Sequence, residues 1–234
     1  FTGMRNRETY ATSGTRPIVR VFGGWDLPAD LCQATDLNAQ GYQQGVPMGG
    51  RLIPESGKLK EGQAPIFVVN ALKDPGLADR PGTDLQRLQM IKGWLDSDGN
   101  THEQVFDIAG NANNGASVDP NNCTPTGSGA KQLCTVWKDP SFDSSQRAFY
   151  YVRVLENPSC RWSTLQCQAA GVNPFAQDCK QQAAEKNVLY QDQGAIGDVF
   201  GKCCLAEADE PYYSPTIQER AWTSPVWYSP VEKQ

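Results

Sequence analysis

The chain has 234 residues, 39% of them hydrophobic, enough for one large domain or two small ones with a real core. Its net charge of -5 comes from 26 acidic and 21 basic residues, and the basic ones are scattered, so a polyanion has no stripe to follow and nucleic acid is not an expected partner. The longest apolar runs are about the length of Ile66-Phe67-Val68-Val69, far short of the roughly 20 residues of a membrane span.

Residues 1–9 predict a short helix, with Met4 on one side and Arg5, Arg7 and Glu8 on the wet ones, ended by Thr12-Ser13-Gly14-Thr15-Arg16-Pro17. Ile18-Val19-Arg20-Val21-Phe22, closed by Gly23-Gly24, predicts the first strand. Residues 26–63 carry mostly turn chemistry and form a long excursion, a kind of segment that often serves function. Further strands are expected at 66–72, 85–94, 104–109, 132–137, 148–155 and 217–228. Leu88 to Trp94 and Val105 to Ile108 flank a polar Asp-Gly turn and predict a hairpin. Both faces of 148–155 are mostly apolar, which predicts a central strand. Residues 175–188 hold Ala, Gln, Lys and Glu at helical density. The sum is a mainly β fold: an immunoglobulin-like antiparallel sandwich with long loops, a short N-terminal helix and an inserted helix-bearing segment.

That segment, 157–215, holds five of the eight cysteines, at 160, 167, 179, 203 and 204; the others are Cys32, Cys123 and Cys134. It is poor in apolar periodicity, so disulfides would supply order that burial cannot, and an oxidising, extracytoplasmic compartment is expected. No Cys-x-x-Cys pair and one distant histidine argue against zinc. About a hundred full pairings are open, but the neighbours Cys203 and Cys204 are expected to bond to different partners.

The single histidine, His102, lies in a polar, turn-like stretch and rules out most imidazole-centred metal cages and nucleophile triads. Asp96-Ser97-Asp98-Gly99-Asn100 superficially resembles a calcium loop, but Thr101 and Asp107 stand where Gly and Glu are needed, and a plain hairpin turn is the expectation. Gly127-Ser128-Gly129 has no preceding strand and reads as loop, and Asn122-Cys123-Thr124 matches a glycosylation pattern that means nothing if Cys123 is bridged and the source is bacterial. Trp222, Trp227 and Tyr228 offer either a sugar-stacking platform or, the favoured reading, core anchors of a terminal strand. Arg5, Arg7 and Arg16 around the 10–14 turn are either solvated or an anion cradle.

Several stretches occur together in order: Met4 through Arg16, Phe22-Gly23-Gly24-Trp25-Asp26, Gly45-Val46-Pro47-Met48-Gly49-Gly50, Ile91-Lys92-Gly93-Trp94, Ala148 through Glu156, Cys160-Arg161-Trp162-Ser163-Thr164 and Glu219 through Tyr228. With them the chain resembles the C-terminal part of a bacterial domain-of-unknown-function family, number thirty-six-zero-four, itself similar to the polymerase-and-histidinol-phosphatase (PHP) metallohydrolases. The resemblance implies an N-terminal α/β domain whose His, Asp and Glu ligands hold divalent metals that activate water on an ester. It implies that residues 1–17 end that domain and that 18–234 are the accessory sandwich, with no cofactor of its own. Tyr10, Thr12, Ser13 and Arg16 would then stand nearest the chemistry, with 26–63 as a cover. Activity would need the metallohydrolase domain as partner. The alternative expectation is an exported binding or structural module for a protein, glycan or surface; oligomeric state is open.

Overall fold

A computed structural model describes residues 1–54, 59–78, 80–205 and 210–230. In chain order the elements are α1 (Thr2–Arg5), β1 (Tyr10–Thr12), β2 (Ile18–Gly24), α2 (Leu37–Gln44), β3 (Val46–Pro47), β4 (Arg51–Leu52), β5 (Ile66–Leu72), β6 (Leu85–Leu95) and β7 (Thr101–Gly110). There follow β8 (Ser117–Val118), β9 (Pro125–Thr126), β10 (Gln132–Lys138), β11 (Ala148–Cys160), α3 (Trp162–Ala169), α4 (Cys179–Gln191), β12 (Thr216–Thr223) and β13 (Val226–Tyr228). They form two compact units, one of Phe1–Ala112, Gly129–Glu156 and Glu219–Gln234, the other of Asn113–Ser128 and Asn157–Gln218.

The first unit holds two sheets. In the seven-stranded sheet β11 is central: it pairs with β6 on one side, which continues to β7, and with β12 and β13 on the other. β1 extends β12, and β4 adds to β13 as a parallel pair. The four-stranded sheet runs β10-β5-β2-β3 and is antiparallel throughout. Strand alternation sends Val19, Val21, Phe67 and Val69 of the small sheet and Met90, Tyr150, Val152 and Val154 of the large one into a single buried core. The mainly β sandwich, its 88–108 hairpin and its central 148–155 strand are therefore as the sequence predicts.

The excursion does something other than expected with its first half. Phe22 and Val68, on the far side of the small sheet, are covered by Leu27, Leu31 and Leu37, and Cys32 is bonded to Cys134 on β10. Burying each such leucine contributes about 1.5–3 kcal/mol, so this stretch covers the sheet's second face. It contains a helix, α2, which turn chemistry conceals. Gly41 makes room there, because a Cβ would sit 2.5 Å from the Phe22 ring. Residues 55–58 of the excursion lie outside the described residues.

Other boundaries shift for local reasons. The N-terminal helix is four residues long instead of nine, ending where Arg7 adopts a φ of 58°. The run at 217–228 is two strands, since Ser224-Pro225 interrupts the ladder between β12 and β13. The second-half helix runs from Cys179 to Gln191 rather than 175–188, and α3 precedes it.

The second unit is held by three disulfides, Cys123–Cys160, Cys167–Cys203 and Cys179–Cys204. The neighbours Cys203 and Cys204 do take different partners, one on each helix. Its apolar cluster is Val172, Ala183 and Phe200 packed among four half-cystines. Residues 113–128, expected to be loop, join this unit: Cys123 supplies a bridge, and Asn114 donates to Asn157 Oδ1 at 2.8 Å. No helix among the described residues is long and apolar enough to cross a membrane.

Candidate functional site

The residues singled out at the N-terminal turn are only partly brought together. Tyr10 and Thr12 lie opposite Thr223 and Ala221, and Tyr10 packs on the sandwich core. Beyond β1 the chain turns, and carboxylates hold that turn at three points. The Ser13 hydroxyl bonds to the Glu219 carboxylate while its amide donates to Arg220 O at 3.0 Å. Thr15 Oγ1 donates to Glu156 Oε1 at 2.7 Å, and the Arg16 amide donates to Asp74 Oδ2 at 2.8 Å. The Arg16 side chain is exposed.

Glu156, Glu219, Asp74 and Thr15 escaped sequence reasoning. Glu156 follows the mostly apolar run 148–155 of the central strand β11, a position where a carboxylate is a signal in itself. It is 0% exposed. Burial pushes its pKa up to about 7, with Glu219 and Asp74 adding to the rise and the Thr15 bond opposing it. Two amides, from Gly76 and Arg16, hold Asp74 below the usual carboxylate range.

A second polar cluster is internal. Lys92 and Asp139 form a buried ion pair at 2.7 Å; Lys92 also donates to Ser141 O at 2.8 Å, and the Tyr150 hydroxyl donates to Asp139 at 2.7 Å. Burial and the Asp139 charge raise the Tyr150 pKa. Each group is satisfied, so the cluster fixes the core's arrangement.

His102 is not a loop residue: it lies on β7 opposite Trp94, with its ring stacked on the indole at 5.2 Å and 18°. Its Nε2 is 2.8 Å from Asp96. Asp96 also accepts the amides of Asp98 and Asn100, and these bonds, that of His102 foremost, hold its pKa well down. The 96–100 stretch is thus the expected hairpin turn.

The outward face of the large sheet is aromatic. Trp227, Phe149, Gly93 and Glu103 form one row across four strands, and Tyr151 stands two residues along β11 from Phe149. The expectation of core anchors fails for Trp227, which is 43% exposed, because the register turns it away from its buried neighbours Val226 and Tyr228. Trp222 is half-buried on the same face, between the buried Ala221 and Thr223. Around Phe149 and Trp227 lies an open groove of about 650 Å³, bordered by Arg147 and Glu103.

Among the described residues no group of three or more His, Cys, Asp or Glu side chains is placed to hold a metal ion. The carboxylates at the turn spend oxygens on the loop's own hydrogen bonds.

These features define a β-sandwich protein with a disulfide-bearing helical insertion, and four disulfides are typical of extracytoplasmic proteins. A family model described as "Protein of unknown function (DUF3604)" matches residues 1–188, and the chain belongs to that family. No curated protein and no solved structure matches it.

Proposed function

We propose that this chain is the accessory part of an exported, PHP-like metal-dependent hydrolase of esters or phosphoesters, and that it is not catalytic alone. The metal and its ligands belong to a partner domain. Family membership supports the reading, but the observation that carries it is the 13–16 turn. The resemblance puts this turn nearest the chemistry, and Glu219, Glu156 and Asp74 hold it rigidly. A loop so held fixes the Arg16 backbone, from which the exposed side chain reaches an anionic substrate at a neighbouring site. Thr15 and Glu156 act as positioning residues.

The test compares residues 1–234 with the same chain preceded by its upstream coding sequence, using p-nitrophenyl phosphate and p-nitrophenyl acetate with added Mn²⁺ or Zn²⁺. The reading expects hydrolysis only in the longer protein, with Arg16→Ala lowering kcat/KM by about tenfold or more. Metal-dependent hydrolysis by residues 1–234 alone would sink it, as would an Arg16→Ala enzyme of undiminished kcat/KM.

A further inference from the structure

We propose that the outward face of the seven-stranded sheet, at Trp227, Phe149 and Tyr151, is a binding site for a neutral oligosaccharide chain. The hydrolase reading does not enter this inference, which concerns a different face of the same unit.

The platform is built. Phe149 lies over toward β6 because Gly93 stands beneath it: a Cβ at Gly93 would come 2.3 Å from the ring. Tyr151 repeats the orientation, its ring within 15° of parallel to Phe149 and 6.4 Å away. Trp227, on the neighbouring strand, has its ring centre 5.4 Å from that of Phe149. Three aromatic rings thus follow one another across two strands; Phe149 and Trp227 line a groove of about 650 Å³, within the roughly 300–1,000 Å³ of small-molecule sites, and Tyr151 continues the row beyond its edge.

The chemistry selects the ligand. One exposed ring, Trp227, and two half-buried ones beside it form an aromatic surface of the kind that marks a binding face, and the apolar C–H face of a pyranose ring is the flat partner that such rings accept. Hydroxyl groups need donors and acceptors at the rim; Arg147 supplies the first and Glu103 the second. Their opposite charges cancel, so the groove carries no net field to draw an anionic polymer. A chain molecule suits a row of rings open along the sheet better than a single compact ligand would.

The test is affinity electrophoresis of residues 1–234 through gels containing β-glucan, xylan, galactomannan or the anionic alginate. Retardation by at least one neutral polysaccharide is expected, weakened at least tenfold by Trp227→Ala and by Gly93→Val, whose side chain displaces Phe149. Trp162→Ala, at a tryptophan 72% exposed in the other unit, should bind as the parent does. Trp227→Ala removes a surface ring, and its thermal melt, matched to the parent's, separates lost binding from lost folding. Migration unaffected by every neutral polysaccharide, preference for alginate, equal retardation of Trp227→Ala, or self-association through this face in place of glycan binding would each overturn the proposal.

Discussion

The two units reach order by different routes. The first gathers 17 buried side chains from two sheets into one core, while the second musters seven, four of them half-cystines. Helix α4 contributes Cys179 and Ala183 as its buried residues and leaves Val188 and Leu189 in solvent. Where a segment cannot bury enough aliphatic surface, cross-links that restrict the unfolded chain take the place of burial.

Reduction should separate the routes most strongly. Each bridge in the second unit stabilises by about 2–4 kcal/mol, so opening its three bridges with a thiol, which also opens the single Cys32–Cys134 bridge of the first unit, should strip hydrogen-exchange protection from α3 and α4. Strands β5, β6 and β11 up to Leu155 should keep theirs; uniform loss would show that the units share one stability. Next in size is Lys92→Met, which leaves Asp139 charged and buried in the first unit and should cost it about 3–5 kcal/mol in denaturant unfolding. A cost below 1 kcal/mol would mean the pair adds nothing to the sandwich.

A smaller effect depends on pH. The carboxyl of Glu156 is raised from 4.5 to about 7, so between those values the native state keeps a proton that the unfolded chain has released. Stability therefore falls as pH rises through this window and levels off above 7, by up to about 3 kcal/mol. Glu156→Gln should match the parent near pH 4.5 and exceed it at pH 8 in thermal melts; parallel curves would refute the assignment. Smallest is Tyr228→Phe, which removes a 2.8 Å bond to Ser144 O and should cost about 0.5–1.5 kcal/mol by urea titration.

What was legible in the sequence was whatever local pattern decides. Ile66–Leu72 is a β-branched apolar run bounded by polar residues, and its limits are those predicted. The 96–100 turn was legible because an aspartate accepting its own downstream amides is a local event. Tertiary partners decided the rest. Leu37–Gln44 is rich in Asn and Gln and has little apolar periodicity; it is helical because Leu37 and Gly41 find the far side of the small sheet. His102 looks like a turn residue but takes strand geometry from the ladder to β6. At the candidate sites Ser13 and Arg16 could be picked out from a motif, whereas Glu156, Glu219 and Asp74 come from three distant stretches and meet only through folding. The aromatic face is half-legible: Trp227 stands out in the sequence, but its direction depends on register, and the role of Gly93 depends on a ring from another strand.

Residues 46–52 pair with β2 in the small sheet through Val46 and Pro47 and with β13 in the large one through Arg51 and Leu52. One short strap thereby sews both layers of the sandwich together. A pull along the chain at Tyr228 loads the β4–β13 pair in shear, all its hydrogen bonds at once, instead of peeling it bond by bond. A slip of one layer over the other strains both pairings of the strap together, which makes it a mechanical latch at this end of the unit.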